Sequence, residues 1–178
     1  LDTQGKPVAF YVQGGEKTYA DYAISITDPG GHSSRPGPTN AIYALARATD
    51  RIAAYQFPAQ ASDLTRAYLL ATGRHVGGAH PEYVGVTGTT CVGTMLSGGH
   101  ALNALPQKAT LSVNCRIFPG VSPESVRDTL AKVIADPQAS VTILDHPLAS
   151  DASPLRPDLM KAVRKGIDLS YPGLPIVP

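Results

Sequence analysis

The sequence predicts an α+β domain, a four-stranded antiparallel sheet with two helices packed on one face in the split βαβ (ferredoxin-like) arrangement. Three observations predict it. Residues 18–27 (TYADYAISIT) and 108–118 (KATLSVNCRIF) alternate apolar and polar side chains with the period of a half-buried strand. Residues from Thr39 to Ile52, and 119–137 (PGVSPESVRDTLAKVIADP), carry apolar residues at helical spacing. In chain order the elements read strand, helix, strand, strand, helix, strand, which is the split βαβ order.

The first strand, 18–27, puts Tyr22, Ile24 and Ile26 on one face and Ala23, Ser25 and Thr27 on the other. The tract DPGGHSSRPGP ends it, because glycine and proline break the ladder. The helix that follows is read as capped by Thr39, with Ile42, Leu45, Ala46 and Ile52 along one face. Within residues 54–90, SDLTRAYLLAT (62–72) reads as a short helix capped by Ser62 or Asp63. The glycine-rich run GRHVGGAHPEYVGVTGTT reads as an extended loop. TCVGTMLS (90–97) and residues 108–118 read as two strands of a hairpin joined by the long turn GGHALNALP, with Leu111, Val113, Cys115 and Ile117 on one face. The second long helix has Ser122 as N-cap and Pro123 at its first position, and buries Val126, Leu130, Val133 and Ile134. Pro137 ends it. ASVTILDH (139–146) is the last strand.

Composition narrows the function classes. At 178 residues, 43% hydrophobic and 16% charged, the chain suits one domain with tails and can build a core. A net charge of +1 with no basic stripe argues against nucleic acid as a partner. No apolar run approaches the roughly 20 residues that span a bilayer, and the start carries no signal-peptide pattern. The opening LDTQGKPVAF and the closing YPGLPIVP, an apolar stretch with no evident packing partner, read as the cut ends of a piece of a longer protein.

No HExxH, paired Cys-x-x-Cys or P-loop is present, and the fourteen carboxylates are scattered, so no metal ligands are expected from this chain. Cys91 and Cys115 face each other if the hairpin is centred near Asn103. Two buried thiols are expected there, with a disulfide as the alternative. Three polar positions stand out. His32 lies in a glycine-rich junction at a strand end, where it is either a solvated loop residue or a donor to a developing oxyanion. Asn103 sits in the irregular turn and is either a turn former or a ligand contact. Arg116 interrupts an apolar strand and faces solvent or an anion such as a carboxylate. The sheet leaves an edge uncovered, to be blunted by charge or a bulge, or paired in a dimer.

The ordered set GGHSSRP, NAIYALARA, SGGHALNALP, NCRIFPG and the Ser-Pro-Glu-capped helix resembles the dimerisation (lid) domain of the zinc metallopeptidase family that includes aminoacylase, carboxypeptidase G, succinyl-diaminopimelate desuccinylase and carnosinase. The resemblance covers residues 17–147. It implies that residues 1–16 and 148–178 are stubs of a catalytic domain that holds two zinc ions, none of them bound by this chain. It implies a homodimer formed through the lid, a peptide or N-acyl amino acid substrate, and hydrolysis of an amide bond by metal-activated water. His32 then corresponds to the lid histidine that stabilises the oxyanion in the partner's active site, Asn103 to a substrate hydrogen-bonding position, and Arg116 to the holder of the substrate carboxylate. Alone, the chain is expected to be inactive. Residues 54–90 are longer and richer in glycine than the resemblance leads one to expect. The alternative is a freestanding split-βαβ module that binds a small carboxylate through Arg116.

Overall fold

A computed structural model describes residues 1–73 and 81–178. The elements are β1 (Phe10–Tyr11), β2 (Thr18–Thr27), β3 (Gly31–His32), α1 (Ala41–Ala54), α2 (Asp63–Ala71), α3 (Pro81–Thr87), β4 (Thr90–Gly98), β5 (Ala104–Leu105), β6 (Lys108–Ile117), α4 (Pro123–Ile134), β7 (Ala139–Leu144), α5 (Pro157–Asp168) and β8 (Ile176–Val177). The main sheet has the order β4-β6-β2-β7 with every neighbouring pair antiparallel, and α1 and α4 pack together against it. The predicted fold class is therefore the observed one.

The alternation read in β2 and β6 sets the layers. Tyr22, Ile24 and Ile26 and, from β6, Leu111, Val113, Cys115 and Ile117 point under the helices and are buried. Ala44, Leu45, Ala48 and Ile52 of α1 and Val126, Leu130 and Ile134 of α4 close the core. The buried Tyr22 hydroxyl donates to the Pro123 carbonyl at 2.9 Å, which removes the cost of burying it unpaired. Arg51 of α1 donates to the carbonyl of Ile134, satisfying a C-terminal carbonyl of α4 and bolting the two helices together.

Several expectations change in detail. The N-cap of α1 is Asn40, whose Oδ1 accepts from the N–H groups of Ile42 (2.9 Å) and Tyr43 (3.2 Å). Thr39 lies one position before the cap, and its side chain lowers the pKa of Asp28. The cap sets the rotation of α1 so that Ile42 and Ala46 face outward, while Ala41, Ala44, Leu45, Ala48 and Ile52 face the sheet. Ser122 and Pro123 open α4 as read, and the helix ends at Ile134 with Ala135 in the left-handed region (φ 48°), ahead of Pro137. Ser62 caps α2. The extended loop expected after it is partly wrong. Residues 74–80 lie outside the described ones, but Pro81–Thr87 forms α3. Nor is the closing segment unpacked, since β8 pairs in parallel with β1 and α5 precedes it.

Cys91 and Cys115 form a disulfide and are not two thiols. The register places them directly opposite with Cα atoms 4.1 Å apart, on the helix-facing side of β4 and β6. Sequence alternation puts both on one face, but only pairing shows that they meet. The bond closes a loop of 24 residues, so reduction is expected to lower stability by about 3 kcal/mol in the chain-entropy account. Urea midpoints with and without reductant measure this, and a midpoint insensitive to reductant contradicts it.

Candidate functional site

The junction after β2 is built by its own backbone. Asp28 takes the Gly30 N–H on Oδ1 (3.0 Å), and the Thr39 side chain, with this N–H second, holds its carboxyl below the usual carboxylate range. Gly30 has φ +76°, and a Cβ there would come 2.5 Å from Gln107 Cγ and 3.2 Å from the Leu105 carbonyl. That close approach lets the chain reverse into β3, which pairs with β5 so that His32 lies opposite Ala104. The Ser33 N–H donates to the Asn103 carbonyl at 2.9 Å. His32 and Asn103, 71 positions apart in the numbering, thus come together at one corner, both exposed.

The imidazole is oriented. The Ser34 N–H donates to His32 Nδ1 at 3.2 Å, and the Ser34 hydroxyl lies 2.8 Å from the same nitrogen. A backbone N–H can only donate, so Nδ1 is an acceptor and the ring proton of the neutral imidazole sits on Nε2. Nε2–H is then a donor with no hydrogen-bond partner among the described residues. The Asn103 amide makes no side-chain hydrogen bond to another described residue. Both groups can donate to an oxygen presented from outside.

Arg116 is not part of that corner. It lies near the far end of β6 on the open face of the sheet, eight strand positions from Lys108, roughly 26 Å at the rise of a strand. Its guanidinium stacks over the ring of Tyr19, its cross-strand partner, with Cζ 4.7 Å from the ring centroid. Tyr19 donates its hydroxyl to Asp21 Oδ2 (2.7 Å), which raises the phenol pKa, and Asn114 donates to Asp21 Oδ1 (2.8 Å). No ion pair joins Arg116 to a carboxylate among the described residues. Sequence reasoning missed Tyr19, Asp21 and Asn114. Their parity put them on the polar face, but the register that makes Tyr19–Arg116 and Asp21–Asn114 pairs was not legible.

A cavity of about 610 Å³ lies elsewhere, between the β1–β8 pair and α2, and none of the three candidates lines it. Lys17 at its wall donates to the Gly88 carbonyl, and burial lowers its pKa. Among the described residues no group of three or more His, Cys, Asp or Glu can hold a metal ion.

Residues 14–142 match the peptidase dimerisation domain of the M20 family. The chain belongs to that family. A carboxypeptidase S-like protein of Dictyostelium discoideum is 26% identical over 151 residues, which are 74% of this chain and 29% of that protein. An M20 family metallo-carboxypeptidase from Sulfolobus solfataricus superposes over 100% of this chain and 55% of its own, with a TM-score of 0.62 and 18% identity. A tripeptidase from Staphylococcus aureus gives 0.53 over 99% and 44%, with 13% identity. The dimerisation domain therefore spans less than a third of the curated relative it matches, and about half of these solved chains.

Proposed function

We propose that this chain is the lid and dimerisation domain of a dizinc peptidase or amidohydrolase that cleaves an amide bond next to a carboxylate-bearing residue. Residues 17–147 form the lid, and 1–16 and 148–178 are stubs of the catalytic domain. The observation that carries the reading is the division of the polar groups. His32 and Asn103 share one corner, whereas Arg116 lies roughly 26 Å away along β6. One small substrate cannot touch both ends. In a two-fold dimer, the corner of one protomer serves the partner's site while Arg116 serves its own.

In that arrangement Nε2–H of His32 donates to the oxyanion that forms at the scissile carbonyl. The Asn103 amide holds a substrate oxygen, and the planar guanidinium of Arg116 takes the terminal carboxylate by two parallel hydrogen bonds. The described residues supply no ligand set for zinc. In this reading the catalytic part would hold the zinc ions and supply the water they activate.

Edge strand β4 supports the dimer. TCVGTMLSG carries no charge, and Val92, Met95 and Leu96 are exposed, Leu96 to 64%. A bulge at Gly93/Met95 interrupts the ladder without replacing these apolar side chains, so the edge is not blunted as solvent-facing edges are. Ile42 and Tyr43 of α1 add exposed apolar surface, and Ile42 lies against Gly98 of β4. Light scattering is expected to give twice the 18.6 kDa chain mass, and Leu96→Asp is expected to give a monomer. A wild-type monomer at high concentration, or a Leu96→Asp dimer, removes β4 as the association surface.

A further inference from the structure

The open face of the sheet holds a cation with a carboxylate two strand positions away that does not pair with it. Arg116 and Asp21 are both on this face, because Tyr19 is opposite Arg116 and Asp21 is opposite Asn114. An exposed arginine and an aspartate this close ordinarily find each other. Here both oxygens of Asp21 are already held, Oδ1 by Asn114 at 2.8 Å and Oδ2 by the Tyr19 hydroxyl at 2.7 Å. The same Tyr19 offers its ring face to the guanidinium. One residue therefore restrains the carboxylate with its hydroxyl and supports the cation with its ring.

A guanidinium over one ring face uses none of its five N–H groups on a carboxylate, so they are left to donate to another oxygen. Asp145, which follows β7, also bears on this cluster. It acts on the Tyr19 hydroxyl through its charge and makes no ion pair with Arg116.

We infer that Tyr19 and Asn114 are positioning residues that hold Asp21 off Arg116, so that the guanidinium edge stays open to a carboxylate from outside. The inference rests on the reading of Arg116 as the carboxylate holder. It adds the reason that site is not closed by its own neighbour. Without the two hydrogen bonds, Asp21 swings to Arg116 and competes with any incoming carboxylate as an internal anion.

The test follows the Arg116 Nε–H resonance of this chain by NMR during a titration with acetate, a carboxylate small enough to need no further pocket. In the wild type the signal is expected to move with acetate. In Tyr19→Phe/Asn114→Ala it is expected to start displaced and to respond at least about threefold less, since a charge-assisted pair already occupies it. Adding Asp21→Asn to that double variant is expected to restore the wild-type response. A merely structural role for Tyr19 or Asn114 would not be reversed by removing the charge of a third residue. If the double variant responds to acetate as the wild type does, or Asp21→Asn restores nothing, the positioning role is overturned. If wild-type Arg116 ignores acetate while the protein is folded, the carboxylate-holding reading itself fails, and that result is distinct.

Discussion

Replacing His32 by alanine in the enzyme that carries this domain is expected to lower kcat by about a hundredfold or more, with KM changed only a few fold. An oxyanion donor acts where charge develops, so its loss is felt in the transition state and little in the bound substrate. The junction gives His32 the means. Ser34 takes up Nδ1 and leaves Nε2–H without a partner among the described residues, and Gly30 lets β3 turn back to meet β5. Ser34→Ala, which keeps the backbone N–H but removes the hydroxyl, is expected to give a smaller loss in the same direction. Steady-state kinetics check both. A His32→Ala enzyme with unchanged kcat would return this residue to an ordinary solvated turn.

Mixing two dead variants is expected to recover activity. If His32 acts in the partner's site and Arg116 in its own, a dimer of one His32→Ala and one Arg116→Ala protomer keeps one complete site. That site has Arg116 from the first protomer and His32 from the second. Its other site has neither. After unfolding and refolding an equal mixture, half the dimers are mixed and each is half active, so about a quarter of wild-type activity returns. Each variant alone stays near zero. A mixture no more active than its parents would mean that His32 and Arg116 serve the same protomer's site. One site would then bridge the roughly 26 Å of strand between the two ends, and the division of the polar groups between two sites would fail. Leu96→Asp is expected to abolish the recovery, because it removes the pairing on which the recovery depends.

The parts of the fold that were legible are those written in local periodicity. The alternation of β2 and β6 named their buried faces correctly, and Ser122 with Pro123 marked the start of α4. The readings that failed depended on something beyond the local pattern. Thr39 and Asn40 are both good caps, and only the point where the chain enters the helix decides that Asn40 takes the N–H groups of Ile42 and Tyr43. Pro81–Thr87 contains a glycine between two β-branched valines and looked like a loop, yet it is helical. For α5, the N-cap Arg156 makes no capping bond and only Ile167 is buried, so its start and its core face left a faint signal.

The candidate site divides in the same way. The sequence by itself determined the family, through its ordered motifs, and put forward His32, Asn103 and Arg116 as the candidates the resemblance implies. It also determined the face on which each strand side chain lies, because side-chain parity is a property of the extended backbone. Only the tertiary structure decided who meets whom. Strand register joined Cys91 to Cys115, stacked Arg116 on Tyr19 and tied Asp21 to Asn114. The β3–β5 pairing brought His32 to Asn103 and left Arg116 at the far end. Register is set by turns and by core packing summed over many residues, and no single segment carries that sum.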